Sequence, residues 1–215
     1  MTAAADGGTA PRSGVLLDRD GTIIVDHGYV GSVDRVQFID GAAQAIASFN
    51  RAGVPAAVVT NQAGVARGMY GIEDVGRVHD YIAARLAEYG AHIDLFIYCP
   101  YHPAGVVQAF ARTSEDRKPA PGMAKAAAAA LNLDLTSSWV VGDRPEDVGL
   151  ARAVGASAVY LGGDGLDGDG LGRDGLGGAS LGSAGLDGEG RPRPGTWSFP
   201  SLAAAAPFIL NRIAG

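Results

Sequence analysis

Five short apolar runs, separated by helix-length segments, constrain this chain more than anything else in its sequence. Val15–Leu17, Val54–Val59, Leu95–Tyr98, Trp139–Val141 and Ala158–Leu161 are rich in Val, Ile, Leu and aromatic residues, and each is too short to be a helix. They read as strands. Between them lie Gly41–Ala52 closed by Gly53, Ile72–Tyr89 closed by Gly90, Pro121–Leu131 with proline in its first turn, and Pro145–Val154 closed by Gly155. Strands alternating with helices predict an α/β fold, a parallel sheet of about five strands with helices on both faces. A last helix is expected over Leu202–Arg212.

A chain of 215 residues, 47% of them apolar, has material for one sizeable core. The expected division is a flexible N-terminus over 1–13 and a single domain over 14–215, carrying a Gly/Leu-rich insert at 161–196. In that insert Leu161, Leu166, Leu171, Leu176, Leu181 and Leu186 recur every fifth residue among Gly, Asp, Ser and Ala. So few apolar side chains offset little of the backbone entropy of glycine, which favours a flexible surface segment over a pentapeptide-repeat coil or a calcium-binding glycine-rich repeat. The net charge of −6 argues against a nucleic-acid or membrane-surface binder, so an anionic ligand has to meet a local cluster of cations. Asp6 interrupts what a signal peptide would need to be apolar, and a cytoplasmic monomer is expected. Cys99 stands alone, which excludes an internal disulfide.

In an open parallel sheet, ligands bind beyond the carboxyl ends of the strands. Four of the five ends carry polar clusters, that of the third being Cys99 to His102. Asp18 and Asp20 follow the first strand, two apart, so their carboxylates face the same side and crowd unless a cation or a proton joins them. Thr60 and Asn61 end the second strand with a hydroxyl and an amide suited to phosphate oxygens. Arg117 and Lys118 stand just before the proline-started helix, an arrangement that favours an anion. Gly142-Asp143-Arg144-Pro145-Glu146-Asp147 brings further carboxylates to the fourth strand end.

These four motifs resemble those of the haloacid dehalogenase superfamily, in a capless, Rossmann-like form. The resemblance implies that Asp18 is the nucleophile of an aspartyl-phosphate mechanism and Asp20 the general acid/base. It implies that Thr60 and Lys118 hold the phosphoryl oxygens. Mg²⁺ is then bound by Asp18, the backbone carbonyl of Asp20 and Asp143, with Asp147 in support. Only about forty residues separate Asp20 from Thr60, too few for a cap domain, so loops must set specificity.

Those loops, Val25-Asp26-His27-Gly28-Tyr29-Val30, Thr60-Asn61-Gln62-Ala63-Gly64-Val65-Ala66-Arg67-Gly68 and Cys99-Pro100-Tyr101-His102-Pro103, resemble the D-glycero-D-manno-heptose 1,7-bisphosphate 7-phosphatase family and its histidinol-phosphate phosphatase relatives. The resemblance implies a phosphorylated sugar as substrate, contacted by Asp26, His27, Gly28, Tyr29, Asn61, Gln62, Ala63, Arg67, Arg117 and Arg144. It also implies a structural zinc, but the ligand positions read Cys99, Tyr101, Ser114 and Asp116 here, so zinc is not expected. The alternatives are a phosphatase for histidinol phosphate or another small phosphomonoester, and a degenerate domain in which the repeats mediate binding.

Overall fold

The computed structural model describes residues 10–162 and 195–215. The expected flexible segments lie mostly in 1–9 and 163–194, outside the described residues. Packing nevertheless reaches back before residue 14: the Arg12 N–H donates to the Asn132 carbonyl at 3.1 Å and the Arg12 carbonyl accepts from Asp134 N–H at 3.0 Å.

The strands are β1 (Val15–Leu17), β2 (Ala56–Asn61), β3 (Leu95–Cys99), β4 (Trp139–Gly142), β5 (Ser157–Leu161) and β6 (Thr196–Phe199). They form one parallel sheet in the order β3-β2-β1-β4-β5-β6. The helices are α1 (Ala42–Arg51), α2 (Ala63–Ala66), α3 (Ile72–Ala87), α4 (Gly122–Leu131), α5 (Pro145–Val154) and α6 (Leu202–Ala214). Among these described residues, none of the helices is long and apolar enough to cross a membrane.

The period-two alternation of a strand assigns each side chain to a face. Leu16, Ala57, Val59, Val140 and Ala158 pack with α4 and α5 through Met123, Ala127, Val148 and Leu150. Val15, Leu17, Val58, Val141 and Val159 pack on the other face with Ile46, Phe49, Ile82 and Leu202. Every strand of the sheet's centre is therefore covered twice, as its unbroken apolar sequence requires.

Register carries this order to the site. Leu17 stands beside Val58 on one side and Val141 on the other. One residue beyond that row is Asp18, and two residues beyond it are Thr60 and Asp143. The chain winds outward from β1 to β3 and then returns to β4 on the other side, so β1 and β4 flank a topological switch point, where a crevice opens above the sheet.

Two elements differ from expectation. β6 adds a sixth strand, with Trp197 and Phe199 turned into the core where a loop was expected until Trp197. The loop after β2 contains the short helix α2, which buries Gly64, Val65 and Ala66.

Candidate active site

At the base of the crevice, Lys118 is 3% exposed and its Nζ lies 2.9 Å from Asp18 Oδ1 and 2.6 Å from Asp147 Oδ1. Burial alone would lower its pKa, but the two carboxylates outweigh burial and hold the ammonium above its ordinary range. Asn61 fixes the backbone there: its amide donates to the Lys118 carbonyl at 3.2 Å and accepts from the Lys118 N–H at 3.0 Å. Asn61 lines the cleft, and its side-chain bonds position Lys118. Asp147 is the third residue of α5, and its second oxygen accepts from the Arg144 N–H at 3.1 Å, capping the helix. This carboxylate needs a glycine beneath it, since a Cβ at Gly142 would stand 2.0 Å from Asp147 Oδ2.

Asp20 sits in a second set of bonds. Arg19, fully buried, reaches it with Nε at 3.1 Å and Nη2 at 2.9 Å, both to Oδ2, and with Nη2 at 3.1 Å to Oδ1. Gln62 Nε2 donates to Asp20 Oδ2 at 2.9 Å and to Thr60 Oγ1 at 3.0 Å. Thr60 accepts there, which leaves its own O–H to donate toward the crevice. Burial raises the Asp20 pKa despite the opposing charge of Arg19, with the Asp18 carboxylate adding to the rise. A proton donor at neutral pH requires that direction of shift.

The crevice opens into a cleft of about 570 Å³. Asp18, Asp20, Thr60 and Lys118 line its floor, and Asp26, Gly28, Tyr29, Asn61, Ala63, Arg67, Arg117 and Arg144 line its walls. Arg144 Nη2 bonds Asp26 Oδ2 at 2.6 Å, and Asp26 Oδ1 accepts from the Gly28 N–H at 2.8 Å. Burial works the other way, yet these partners hold the Asp26 carboxyl below its usual range. Arg35 clasps the same loop from behind, donating to the carbonyls of His27 at 2.7 Å, Gly28 at 3.0 Å and Tyr29 at 3.1 Å. His27 differs from expectation: its ring lies off the cleft, 3.3 Å from Gln37 Oε1. Gln62 also lines the cleft, and both ends of its buried amide are engaged within the protein.

Known proteins place this arrangement. A HAD-hydrolase-like family model matches residues 116–167. The D-glycero-beta-D-manno-heptose-1,7-bisphosphate 7-phosphatase of Yersinia pestis is 42% identical over 147 residues, 68% of this chain and 78% of that protein. Its counterpart from Rhodopseudomonas palustris is 39% identical over 167 residues, 78% of this chain and 91% of that protein. The chain belongs to the D-glycero-beta-D-manno-heptose-1,7-bisphosphate 7-phosphatase family. Like the rest of that family it is a phosphoric monoester hydrolase of the HAD type. The crystal structure of the D,D-heptose 1,7-bisphosphate phosphatase from B. bronchiseptica, complexed with magnesium and phosphate, superposes with a TM-score of 0.71 at 27% identity, covering 93% of this chain and 98% of that one.

Magnesium in that member of the heptose bisphosphatase family raises the question of whether the residues here fit a divalent cation. They do. Asp18, Asp143 and Asp147 each bring an oxygen within 4.8 Å of the others. Asp143 Oδ1 is buried without a hydrogen-bond partner, and burial together with the Asp18 charge pushes the Asp143 pKa up to about 6. Burial and Asp18 likewise push Asp147 upward, against its pairing with Lys118. Crowded carboxylates short of positive charge are what a divalent cation relieves. Both oxygens of Asp147 are committed to Lys118 and Arg144, so Asp18 and Asp143 are the carboxylates with free oxygens.

A pH dependence follows. Metal binding needs the ionised carboxylate, so affinity for Mg²⁺ is flat well above the Asp143 pKa and weakens below it, by about tenfold per pH unit. Calorimetric titration at pH 5 should give a dissociation constant about tenfold above that at pH 7.5; equal constants would contradict the assignment of Asp143.

At the positions where the wider family resemblance implied zinc, the residues bond to one another. The buried Cys99 Sγ donates to the Tyr101 carbonyl at 3.8 Å, and Ser114 Oγ donates to Asp116 Oδ2 at 3.4 Å. The Arg112 guanidinium lies 3.9 Å over the Tyr101 ring, and Arg117 Nη1 reaches the Tyr101 carbonyl at 3.5 Å, so packing around Tyr101 positions Arg117. Sequence reasoning missed Arg19, Arg35 and Tyr70. The only signal for Arg19 was a cation set between two carboxylates.

Proposed function

We propose that this chain removes the 7-phosphate of D-glycero-D-manno-heptose 1,7-bisphosphate through an aspartyl phosphate on Asp18. The observation that carries the reading is the Lys118 ammonium, buried 2.9 Å from Asp18 at the floor of a cleft whose walls carry Arg67, Arg117 and Arg144. In a chain of net charge −6, that concentration of cations suits a ligand with a phosphate at each end.

The 7-phosphate sits among Asp18, Lys118 and the Thr60 hydroxyl, and the arginines of the walls receive the distal phosphate. Lys118 and the Arg19 N–H, at 2.9 Å and 2.7 Å from Asp18 Oδ1, hold the carboxylate that attacks phosphorus. An Asp18–phosphorus bond forms as the ester P–O bond breaks, and Asp20 passes its proton to the departing alkoxide. Asp20 then takes a proton from the water that attacks phosphorus, which frees phosphate and restores the Asp18 carboxylate. Asp18, Asp143 and the Asp20 carbonyl would hold Mg²⁺, which would supply positive charge against the phosphoryl oxygens. Lys118 and Thr60 donate to those same oxygens as charge moves onto them.

Steady-state rates on heptose 1,7-bisphosphate and on histidinol phosphate test the substrate. The bisphosphate should be preferred by at least about a hundredfold in kcat/KM, since a monophosphate forgoes the contacts of a distal phosphate with the arginines of the walls. Comparable values for the two would defeat the assignment.

A further inference from the structure

We propose that Tyr70 is a positioning residue for the proton transfer, acting on Asp20 through the amide of Gln62. This rests on the general acid role given to Asp20 above, and it concerns a residue outside every motif that led to the site.

The amide of Gln62 has two unlike ends. Its Oε1 faces two donors, Arg19 Nη2 at 3.0 Å and Tyr70 Oη at 2.8 Å. Its Nε2 faces two acceptors, Asp20 Oδ2 and Thr60 Oγ1. A guanidinium cannot accept a hydrogen bond, so only this orientation satisfies all four partners. Gln62 thus delivers both amide hydrogens to the groups that touch phosphate and leaving group, and the Tyr70 hydroxyl holds the other end of the lever. Burial raises the Tyr70 pKa to about 12, which keeps the phenol a donor throughout the working range.

The ring of Tyr70 is as constrained as its hydroxyl. A Cβ at Gly31 would stand 2.2 Å from the ring and one at Gly64 would stand 2.3 Å from it. The ring is wedged between the loop after Tyr29 and the turn that carries Gln62, and neither backbone could approach it with a larger residue. Both loops line the cleft, and Tyr70 lines it with them.

Asp20 gains a defined orientation. Its Oδ2 is approached by Arg19 Nε, Arg19 Nη2 and Gln62 Nε2, while Oδ1, among the described residues, accepts only from Arg19 Nη2 at 3.1 Å. The less encumbered Oδ1 is the oxygen that carries the proton. Without the Tyr70 hydroxyl, the Gln62 carbonyl keeps one donor of two and the amide can swing away from Asp20.

A leaving-group test separates this role from simple packing. An alkoxide needs its proton as the P–O bond breaks, whereas p-nitrophenolate leaves as an anion. Tyr70→Phe keeps the ring between the glycines and removes only the hydroxyl. The ratio of kcat/KM on the alkyl bisphosphate to kcat/KM on p-nitrophenyl phosphate should fall about tenfold, a fraction of the full general-acid contribution. Gln62→Met should lower the same ratio, and the double variant should lower it no further than Gln62→Met alone. An unchanged ratio in Tyr70→Phe, or effects that multiply in the double variant, would overturn the proposal. Asp20→Asn is the reference: if it too leaves the ratio unchanged, the general acid assignment itself is wrong and not merely the part given to Tyr70.

Discussion

Asp18→Asn lowers phosphate release at least about a thousandfold, because the amide cannot form the covalent intermediate. The substitution is nearly isosteric, and its effect on stability has opposing parts. The contact of 2.9 Å with Lys118 is weakened, but a negative charge that raises both Asp143 and Asp147 is also removed. Denaturant unfolding without added metal should therefore stay within about 1 kcal/mol of the parent. Retained turnover would sink the covalent mechanism. A large loss of stability would show instead that Asp18 serves the fold.

Lys118→Met affects both. The lysine is the common cation of Asp18 and Asp147, and its removal leaves two buried carboxylates uncompensated, at a cost of about 3–5 kcal/mol near neutral pH. The sign of the pH dependence is fixed. Burial already pushes the folded-state pKa of Asp147 above the ordinary carboxylate value of 3.8, and loss of the ammonium pushes it further up. The folded protein then holds a proton that the unfolded chain releases, so the penalty is full at high pH and shrinks as pH falls through the raised folded-state pKa of Asp147, above the value of about 7 it has beside the lysine. Turnover should drop by about a hundredfold or more, because the phosphoryl oxygens lose their charged donor. Urea titrations at several pH values, in metal-free buffer, check the first expectation, and kcat/KM checks the second. A penalty that grows on acidification would contradict the pairing.

What the sequence disclosed and what it hid divide along a physical line. Val15–Leu17, Trp139–Val141 and the other central strands are apolar on every residue because both faces are covered, and such runs are readable one at a time. Thr196–Phe199 is not: four residues that alternate intermediate and buried positions, before Pro200, look like a turn until the sheet edge at β5 pairs with them. The floor of the site was legible because Asp18, Thr60, Lys118, Asp143 and Asp147 sit where strands or helices end, and parallel register makes those ends converge. Arg19, Arg35 and Tyr70 were hidden because their roles arise from tertiary contact alone. Arg19 reads as a spacer, Arg35 as a surface cation and Tyr70 as one aromatic among seven tyrosines. The protein partners of Gln62 and Asn61 were hidden too, since an amide in a phosphate-binding loop looks the same whatever it bonds within the fold.

The claim beneath all of this is that phosphate passes through a carboxylate of this chain before it reaches water. Turnover quenched in acid and reduced with borohydride converts an aspartyl phosphate to homoserine, which peptide mass mapping locates. Homoserine at position 18, and only after exposure to substrate with Mg²⁺, is the predicted result; label at another carboxylate, or an unmodified position 18 under conditions that trap the intermediate in a heptose bisphosphatase relative, would contradict it.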